Sequence, residues 1–376
     1  MNDTITRHSI KISTLAVALV TSALVLIAPT VTRSQTAPAD STTPLRIAVV
    51  GLVHPHAGTV WSMLRRRDVQ VVGICEPSRD AVADYVNEGL DKRLLFTDEA
   101  EMIEKTHPQA IVIYTNTYDH RRAVEIAARY GVHAMMEKPL AVSLEDAQAM
   151  AQAARVGKIH VLVNYQTTWY PNSTAAYTLL HDQSIGAARK IIVNDGHSNS
   201  RPLSGPRGWL VDPKLNGGGA LFDFGCYGAD LVTWLMDNQR PTSVTAVTQT
   251  MKPDIYTRVD DEATIILTYP KTQAILQASW NWPFDRKDME VYGENGYAIT
   301  VGTDSLRIRR WGKKEEQVVA QSLVPPQDDS LAYLKAVVAD GMKPTGPSSL
   351  ETNLIATEIL DAARRSAQTG QRVDLH

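Results

Sequence analysis

The chain has 376 residues, of which 44% are hydrophobic and 21% charged, and its formal net charge is -3 at pH 7. These fractions are typical of a globular protein that is long enough for two domains. Because charges of both signs are interspersed and there is no basic stripe, the composition argues against a nucleic acid or an anionic membrane as partner.

The first forty residues (1–40) differ from the rest and are typical of a signal peptide with its leader. A positively charged start precedes an apolar run over residues 12–28, and small residues follow. We expect cleavage near Ser34 or Ala39, export by general secretion, and a periplasmic or secreted protein. The alternative is an uncleaved membrane anchor, since the run approaches the length of a spanning helix.

From residue 45 onward, short β-branched segments alternate with amphipathic ones. Strands are predicted over residues 46–50, 69–75, 110–114, 134–137 and 159–163. Helices are predicted between them over residues 57–66, 78–87, 119–130 and 143–156. Strands joined by helices imply an α/β fold with a Rossmann-like, doubly wound parallel sheet, and we assign this domain to residues 41–165.

Beyond residue 165 the pattern changes. Helices are predicted near residues 173–181 and after Gly219, followed by alternating strands over residues 243–250, 262–269, 273–280 and 288–292. This alternation predicts an open, mostly antiparallel sheet in an α+β domain at residues 166–348. Residues 349–376 contain a last helix with one apolar face, which we expect to pack back on the first domain.

The turn after the first predicted strand reads GLVHPH, where a dinucleotide-binding domain carries three spaced glycines. Gly51 keeps the tight turn, whereas Val53 and His56 replace the second and third glycines. We expect the backbone amides of residues 56–58 to point outward, toward a phosphate. His54 and His56 either add hydrogen bonds to that phosphate or belong to the turn and the substrate wall.

An acidic residue at the end of the second predicted strand is another marker of a dinucleotide site. Glu76 lies at the distance from Gly51 where such domains bind a ribose diol, and its charge would repel a 2′-phosphate. It therefore favours NAD, while Arg79 keeps NADP open. The alternative is that Glu76 is a solvated helix cap. No third ligand lies near the His54-x-His56 pair in the sequence, so no metal site is predicted.

Three later segments occur together: TNTYDH at 115–120, Glu137-Lys138-Pro139, and GGGALFDFGCYGAD at 217–230. With this order and spacing the chain resembles the Gfo/Idh/MocA oxidoreductases from residue 45 to the C-terminus. The resemblance implies a Rossmann domain followed by an open sheet that binds substrate and pairs subunits into a homodimer or homotetramer. It also implies oxidation of a sugar or cyclitol hydroxyl by a bound NAD or NADP.

The resemblance also assigns roles to single residues. Lys138 matches the catalytic lysine of the family, Asp223 the substrate-binding aspartate, and Tyr227 the position that is usually a catalytic histidine. His120 matches a histidine near the nicotinamide. The same segments place further residues at the cofactor: Thr115, Asn116, Glu137 and Lys138.

The chemistry of hydride removal agrees with these roles, because the hydroxyl proton needs an acceptor. Four apart on one predicted helix, Asp223 and Tyr227 should face the cleft together. A phenol has a pKa of about 10, and we expect the Lys138 ammonium to lower it; the formal base stays open. The structural alternatives are a surface ion pair, a helix-dipole contact and simple packing. Trp169 and Trp209 are expected to flank the cleft and offer flat faces to a sugar ring.

Three functions are consistent with this sequence. The first is an exported oxidoreductase of a sugar, glycoside or cyclitol that holds its nicotinamide tightly. The second is an enzyme that oxidises a ring carbon transiently, which acidifies a neighbouring C–H and permits glycosidic cleavage. The third is a non-catalytic sugar-binding protein with a degenerate nucleotide turn, which the substitutions at Val53 and His56 support. The enzyme hypotheses predict roughly one nicotinamide per chain.

Overall fold

Two β-sheets organise the part of the chain that the computed structural model describes, residues 43–198 and 205–375. Both sheets belong to one structural unit. The predictions of a signal peptide and its cleavage fall on residues 1–40, outside the described residues. Within the described residues, no helix combines the length and the apolar character needed to cross a membrane.

The first sheet is the predicted parallel, doubly wound sheet. Its order is β3-β2-β1-β4-β5-β6, and each pair of neighbours is parallel. The chain reverses direction of winding between β1 and β4, so their carboxyl ends open onto a crevice where ligands bind in such sheets. The strands are β1 (Leu45–Val50), β2 (Val69–Cys75), β3 (Leu95–Phe96), β4 (Ala110–Ile113), β5 (His133–Glu137) and β6 (Val161–Asn164).

Helices connect these strands, and side-chain caps fix where several of them begin. Ser78, Asp98 and Ser143 each accept a hydrogen bond from a backbone N–H in the first turn of the helix that follows. The helices of this half are α1 (Val60–Met63), α2 (Arg79–Asn87), α3 (Glu99–Thr106), α4 (His120–Arg129) and α5 (Leu144–Gly157).

The first connection differs from the helix predicted over residues 57–66. A 3₁₀ turn at Pro55–Thr59 precedes the single turn of α1, and the chain leaves the helix at Leu64. Gly58 and the β-branched residues Thr59 and Val60 are poor helix formers, which accounts for the short element. A short first helix provides a weaker dipole for an anion than the prediction assumed.

The second sheet is mixed and mostly antiparallel, as predicted. Its order is β14-β13-β12-β11-β7-β10-β9-β8-β15, and β7 and β10 form its parallel pair. Its strands are β7 (Ala188–Gly196), β8 (Ser243–Gln249), β9 (Glu262–Thr268), β10 (Gln273–Ser279), β11 (Arg286–Gly293), β12 (Gly296–Val301), β13 (Ser305–Arg310), β14 (Glu316–Val319) and β15 (Val373–Asp374).

Helices cover this sheet and join it to the first one. They are α6 (Pro171–His181), α7 (Pro213–Asn216), α8 (Ala220–Asp223), α9 (Gly225–Leu235), α10 (Ser330–Val338) and α11 (Leu350–Thr369). Nearly every residue of α9 is buried, because the helix lies between the sheet strands β7 and β10 and helix α11. A buried helix of this kind is mostly apolar on all sides rather than amphipathic, and Asp230 is its one charged residue.

The last helix contacts both halves of the fold. Helix α11 packs on α9 and β8 of the second half and on α5 of the first. Arg364 of α11 donates to the carbonyl oxygens of Val142 at 3.0 Å and Gly217 at 3.2 Å. The C-terminal helix therefore packs on the first domain, as expected, but it also closes the second one.

Candidate active site

The end of β5 carries a buried carboxylate. Glu137 accepts a hydrogen bond from Asn164 Nδ2 at 2.8 Å, and its other oxygen lies 2.9 Å from Nδ1 of His56. Burial opposes ionisation of this group, but the contacts with His56 and Asn164 and the nearby His54 outweigh it and lower the pKa of Glu137 to about 2. Glu137 is therefore an ionised side chain inside the protein.

The next residue, Lys138, forms a buried ion pair with Asp223. Its Nζ contacts Asp223 Oδ1 and also donates to the Asp223 carbonyl oxygen at 2.8 Å. The other Asp223 oxygen accepts from Trp280 Nε1 at 2.9 Å. Burial favours the neutral forms of both groups, but their mutual attraction prevails, so the pKa of Lys138 is raised and that of Asp223 is lowered.

The glycine-rich segment before Asp223 explains its position. A Cβ on Gly219 would overlap the carbonyl oxygen of Asp260, so only glycine allows the two backbone segments to approach here. The Asp260 carboxylate then accepts from the amides of Gly219 at 3.0 Å and Leu221 at 2.7 Å, which caps α8. Asp223 is the last residue of α8 and thus faces Lys138.

Asp223 and Tyr227 do not share one helix, contrary to the prediction. The helix is interrupted at Phe224, between α8 and α9, so the two residues do not lie on one continuous helical face. Both side chains nevertheless meet at Lys138, whose Nζ lies 5.2 Å from the centre of the Tyr227 ring. The packing of two short helices, rather than the helical period, brings them together.

The expected lowering of the Tyr227 pKa is wrong. Burial, the Cys226 thiol and the carboxylates of Glu137 and Asp223 raise the pKa of Tyr227 well above its ordinary value. The Lys138 ammonium lies over the ring as in a cation–π contact. In this arrangement Tyr227 is a neutral phenol.

The three family-motif residues open onto one cavity of about 240 Å³. Larger cavities occur elsewhere, including one of about 580 Å³ beside Tyr256 and Arg364, but they lack the ion pair. We identify the smaller cavity as the candidate active site because Lys138, Asp223 and Tyr227 converge there. Its other lining residues are His54, Pro55, His56, His197, Arg207, Leu210, Phe224 and Lys287.

Sequence reasoning missed several titratable residues near this cavity, among them Lys287 and Asp195. Lys287 of β11 lies 5.6 Å from the centre of the Tyr227 ring, and burial lowers its pKa. Its register partner on β7 is Asp195, a buried carboxyl whose pKa burial raises well above its usual range. A polar residue at the buried end of an apolar strand was the available signal for Asp195.

The turn after β1 fits a dinucleotide only in part. Gly51 has φ +88°, and a Cβ there would lie 2.6 Å from the Thr115 amide nitrogen, so the predicted tight turn is present. However, the amide of His56 donates to His54 Nδ1 at 3.1 Å, and that of Ala57 donates to the His54 carbonyl at 2.9 Å. The prediction that these two amides point outward is therefore wrong, because the 3₁₀ turn uses them itself.

Glu76 also bonds within the turn. Its carboxylate accepts from the amides of Leu52 at 2.7 Å and Ser78 at 2.8 Å, and the side chain is buried rather than solvated. It stands at the end of β2, where a ribose would be recognised, and an ionised carboxylate keeps lone pairs for further donors. Glu76 and Lys138 are therefore in place to hold the two ends of a dinucleotide, whereas the segment between them, where a diphosphate would lie, offers few free amides.

The remaining predicted cofactor residues support this crevice. Thr115 lies against Gly51 at the end of β4, and the Asn116 side chain caps the turn that precedes α4. His120 Nδ1 lies 3.1 Å from the Pro139 carbonyl and 3.2 Å from that of Leu140. Burial lowers the pKa of His120 to about 4. Its buried Nε2 has no hydrogen-bond partner among the described residues, which leaves an acceptor for a ligand.

Contrary to the prediction, neither Trp169 nor Trp209 offers a ring face to the cavity. Trp209 is buried, donates to the Val53 carbonyl at 3.2 Å and packs 5.7 Å from the His54 ring. Trp169 lines a separate cavity and donates to Asn164 Oδ1 at 2.9 Å. Both tryptophans therefore brace the turn after β1 and the Glu137 contact, and the aromatic rings at the cavity are those of Phe224 and Tyr227.

Comparison with known families agrees with this two-part fold. Residues 45–165 match the model of an oxidoreductase family with an NAD-binding Rossmann fold. Residues 173–299 match the model of the GFO/IDH/MocA C-terminal domain.

Named relatives are dehydrogenases and reductases. Trans-1,2-dihydrobenzene-1,2-diol dehydrogenase of Xenopus laevis is 32% identical over 176 residues, 46% of this chain and 50% of that protein. The 1,5-anhydro-D-fructose reductase of Ensifer adhaerens is 28% identical over 50% of this chain and 55% of its own length. The chain thus spans about half the length of these relatives.

Solved structures share the fold. Aldose-aldose oxidoreductase from Caulobacter crescentus, complexed with glycerol, superposes with a TM-score of 0.76 at 21% identity, over 89% of this chain and 100% of that one. An inositol dehydrogenase homologue from Azotobacter vinelandii, complexed with NAD⁺, gives a TM-score of 0.76 at 18% identity, over 90% of this chain and 99% of that one.

Proposed function

Because the chain belongs to the GFO/IDH/MocA oxidoreductase family, we propose that it is an exported, NAD(P)-dependent oxidoreductase that acts on a hydroxyl of a sugar, glycoside or cyclitol. The observation that carries this proposal is the buried Lys138–Asp223 pair at the cavity between the two sheets. The likeness to relatives that act on a diol and an anhydrosugar supports the substrate class. The leader sequence supports export.

We place the cofactor in the crevice at the carboxyl ends of β1, β2 and β4. Gly51 would form its turn, Glu76 would bind the ribose, and His120 would lie toward the nicotinamide end. When bound, a nicotinamide supplies the hydride acceptor. We favour NAD because the Glu76 carboxylate would repel a 2′-phosphate.

The side chains of the cavity divide the proton chemistry between them. Lys138 is an ammonium with three N–H groups, two of which contact Asp223, so a third can bind the substrate oxygen. Its charge stabilises the oxygen as the hydroxyl loses its proton. Asp223 lines the same cavity as an ionised carboxylate and is the acceptor that we assign to this proton. Tyr227, a neutral phenol, orients the substrate.

The test is extraction of dinucleotide from the purified mature protein, followed by a panel of sugars, glycosides and cyclitols monitored at the absorbance of reduced nicotinamide. We expect roughly one nicotinamide per chain. Lys138→Ala should abolish reduction of bound cofactor and leave the cofactor in place, whereas Lys105→Ala, a surface ion-pair change, should alter neither. Wild-type turnover by Lys138→Ala would remove Lys138 from the mechanism.

One observation favours glycoside cleavage as a second candidate. Lys287 gives the cavity a second basic group, near Tyr227. After transient oxidation of a ring hydroxyl to a ketone, Lys287 as free amine would take the proton from the adjacent carbon while the glycosidic oxygen leaves. The departing oxygen would take that proton and leave as the free alcohol, water would add to the double bond, and the hydroxyl would be restored by hydride from a bound nicotinamide. Release of free alcohol from a glycoside, with no net change in nicotinamide, distinguishes this function.

Engagement of the His56 and Ala57 amides within their own turn favours the third candidate, a sugar-binding protein without catalysis. This candidate predicts that the purified protein contains no nicotinamide and gains none on incubation with NAD⁺ or NADP⁺. Sugar binding that persists in such protein would establish it.

A further inference from the structure

Three potential metal ligands lie together beside the active-site cavity. His54 and His56 come from the turn after β1 and Glu137 from the end of β5, and one ligand atom of each lies within 4.8 Å of the others. The sequence argument against a metal, that the histidine pair has no third ligand nearby, is wrong. The carboxyl ends of parallel strands meet at one edge of the sheet, so Glu137 reaches a pair that is 81 residues away from it in sequence.

The three side chains offer atom types that bind a metal. Glu137 is a buried carboxyl, His54 is a buried imidazole, and the His56 imidazole is 47% exposed. Neutral imidazole nitrogens and carboxylate oxygens are zinc ligands, and two histidines with one glutamate form a known type of zinc site with an open position. Asn164 donates to the second Glu137 oxygen, which is the kind of outer contact that orients a ligating carboxylate.

The geometry needs only a small adjustment. Ligand atoms of a tetrahedral zinc site lie about 3.3 Å apart, given metal–ligand bonds of about 2.0–2.2 Å. His56 Nδ1 and Glu137 Oε2 are 2.9 Å apart, and the two imidazole rings meet edge to face with their centres 4.8 Å apart. An ion would replace the His56–Glu137 hydrogen bond and, where His54 ligates through Nδ1, the bond from the His56 amide.

We propose that His54, His56 and Glu137 bind one divalent transition-metal ion of the zinc type. The proposal does not depend on the proposed redox function. Because His54, Pro55 and His56 line the cavity that also holds Lys138, the remaining coordination positions open toward it. Water or an oxygen of a molecule in the cavity would occupy them. The site also gives a role to His54 and His56, of which His56 replaces the third of the usual glycines.

The experiment uses the mature protein after removal of metals with a chelator and titrates it calorimetrically with Zn²⁺ alone. We expect one equivalent to bind and the melting temperature to rise, since a ligand of the folded state stabilises it. His56→Ala should weaken binding at least tenfold, and this variant should fold because the His56 side chain is 47% exposed. Glu137→Gln should weaken it similarly.

The control is His160→Ala. His160 stacks on His133, with ring centres 5.2 Å apart. These two histidines lie outside the proposed site and are a place where zinc could bind adventitiously. This variant should keep the affinity and stoichiometry of the wild type. Unchanged zinc affinity in His56→Ala, or loss of binding in His160→Ala, would overturn the proposal. Nicotinamide content measured on the same samples tests the redox function separately, since protein with nicotinamide and no zinc affinity contradicts only the metal site.

Discussion

Lys138 and Asp223, 85 residues apart in sequence, form a buried ion pair that joins the end of β5 to the end of α8. Each group keeps the other charged although both are almost fully enclosed. This pair is both the chemical centre of the candidate site and a bond between the two halves of the fold, so its variants should affect activity and stability differently.

Removing one partner of the pair leaves an unpaired buried charge. We expect Lys138→Met to lose about 3–5 kcal/mol of unfolding free energy, the usual cost of breaking a buried pair. The double variant Lys138→Met/Asp223→Asn should recover much of that stability, because Asn can still accept the Trp280 N–H. It should remain inactive. Denaturant unfolding with parallel turnover assays checks this, and recovery of activity in the double variant would contradict it.

Tyr227→Phe should retain activity within about tenfold of the wild type. Since the pKa of Tyr227 lies well above that of a free phenol, almost no phenolate exists at neutral pH to act as a base. The pH–rate profile between pH 6 and 9 should keep its shape. A loss of 10²-fold or more, the usual effect of removing a general base, would instead make Tyr227 the proton acceptor.

Two glycines of the first turn should differ in tolerance. Gly51→Ala places a methyl group 2.6 Å from the Thr115 amide at a positive φ, so we expect a loss of at least about 2 kcal/mol in stability and loss of dinucleotide binding. Gly58→Ala meets nothing within 4 Å and should be neutral within about 0.5 kcal/mol. Thermal unfolding and retained nicotinamide measure both, and equal effects would show that the turn is not constrained at Gly51.

Glu76 should set the choice of cofactor. We expect at least tenfold tighter binding of NAD⁺ than of NADP⁺, which corresponds to about 1.4 kcal/mol. Glu76→Ser should reduce that ratio, because it removes the charge opposite a 2′-phosphate. Glu88→Ser, on the exposed end of α2, is the matched control. An unchanged ratio in Glu76→Ser would show that Glu76 serves only the amides of Leu52 and Ser78.

Glu99 should make the protein less stable as the pH rises. This carboxyl is buried in α3 without a partner for either oxygen among the described residues, and burial raises its pKa to about 8. A raised folded-state pKa favours folding at low pH, and the advantage is lost as pH rises from about 4.5 to 8. Glu99→Gln should therefore raise the melting temperature more at pH 8 than at pH 5. An equal gain at both values would contradict the assignment.

The sequence predicted the fold well because hydrophobic periodicity and turn signals are local. Five strands of the parallel sheet, all but β3, and the alternation in β8 to β11 follow from residues that are neighbours in the chain. The helix predicted over residues 57–66 is shorter because Pro55 begins a 3₁₀ turn and the following residues propagate a helix poorly.

The candidate site was predictable in its residues but not in its electrostatics. The motifs identified Lys138, Asp223 and Tyr227, which meet at one cavity. Sequence spacing could not show that the helix is interrupted at Phe224 or that burial dominates the pKa of Tyr227. It also could not show that Glu137 lies beside His54 and His56. Each of these depends on long-range packing.

The hydrogen bonds of Arg364 connect the loop after β5 with the glycine-rich segment before Asp223. Arg364 lies 226 residues after Lys138 in the sequence. The contact that fastens this loop of the Rossmann half is therefore made only once the last helix is in place. A protein truncated within α11 should lose both this contact and part of the hydrophobic core, and proteases should degrade it faster than the full chain.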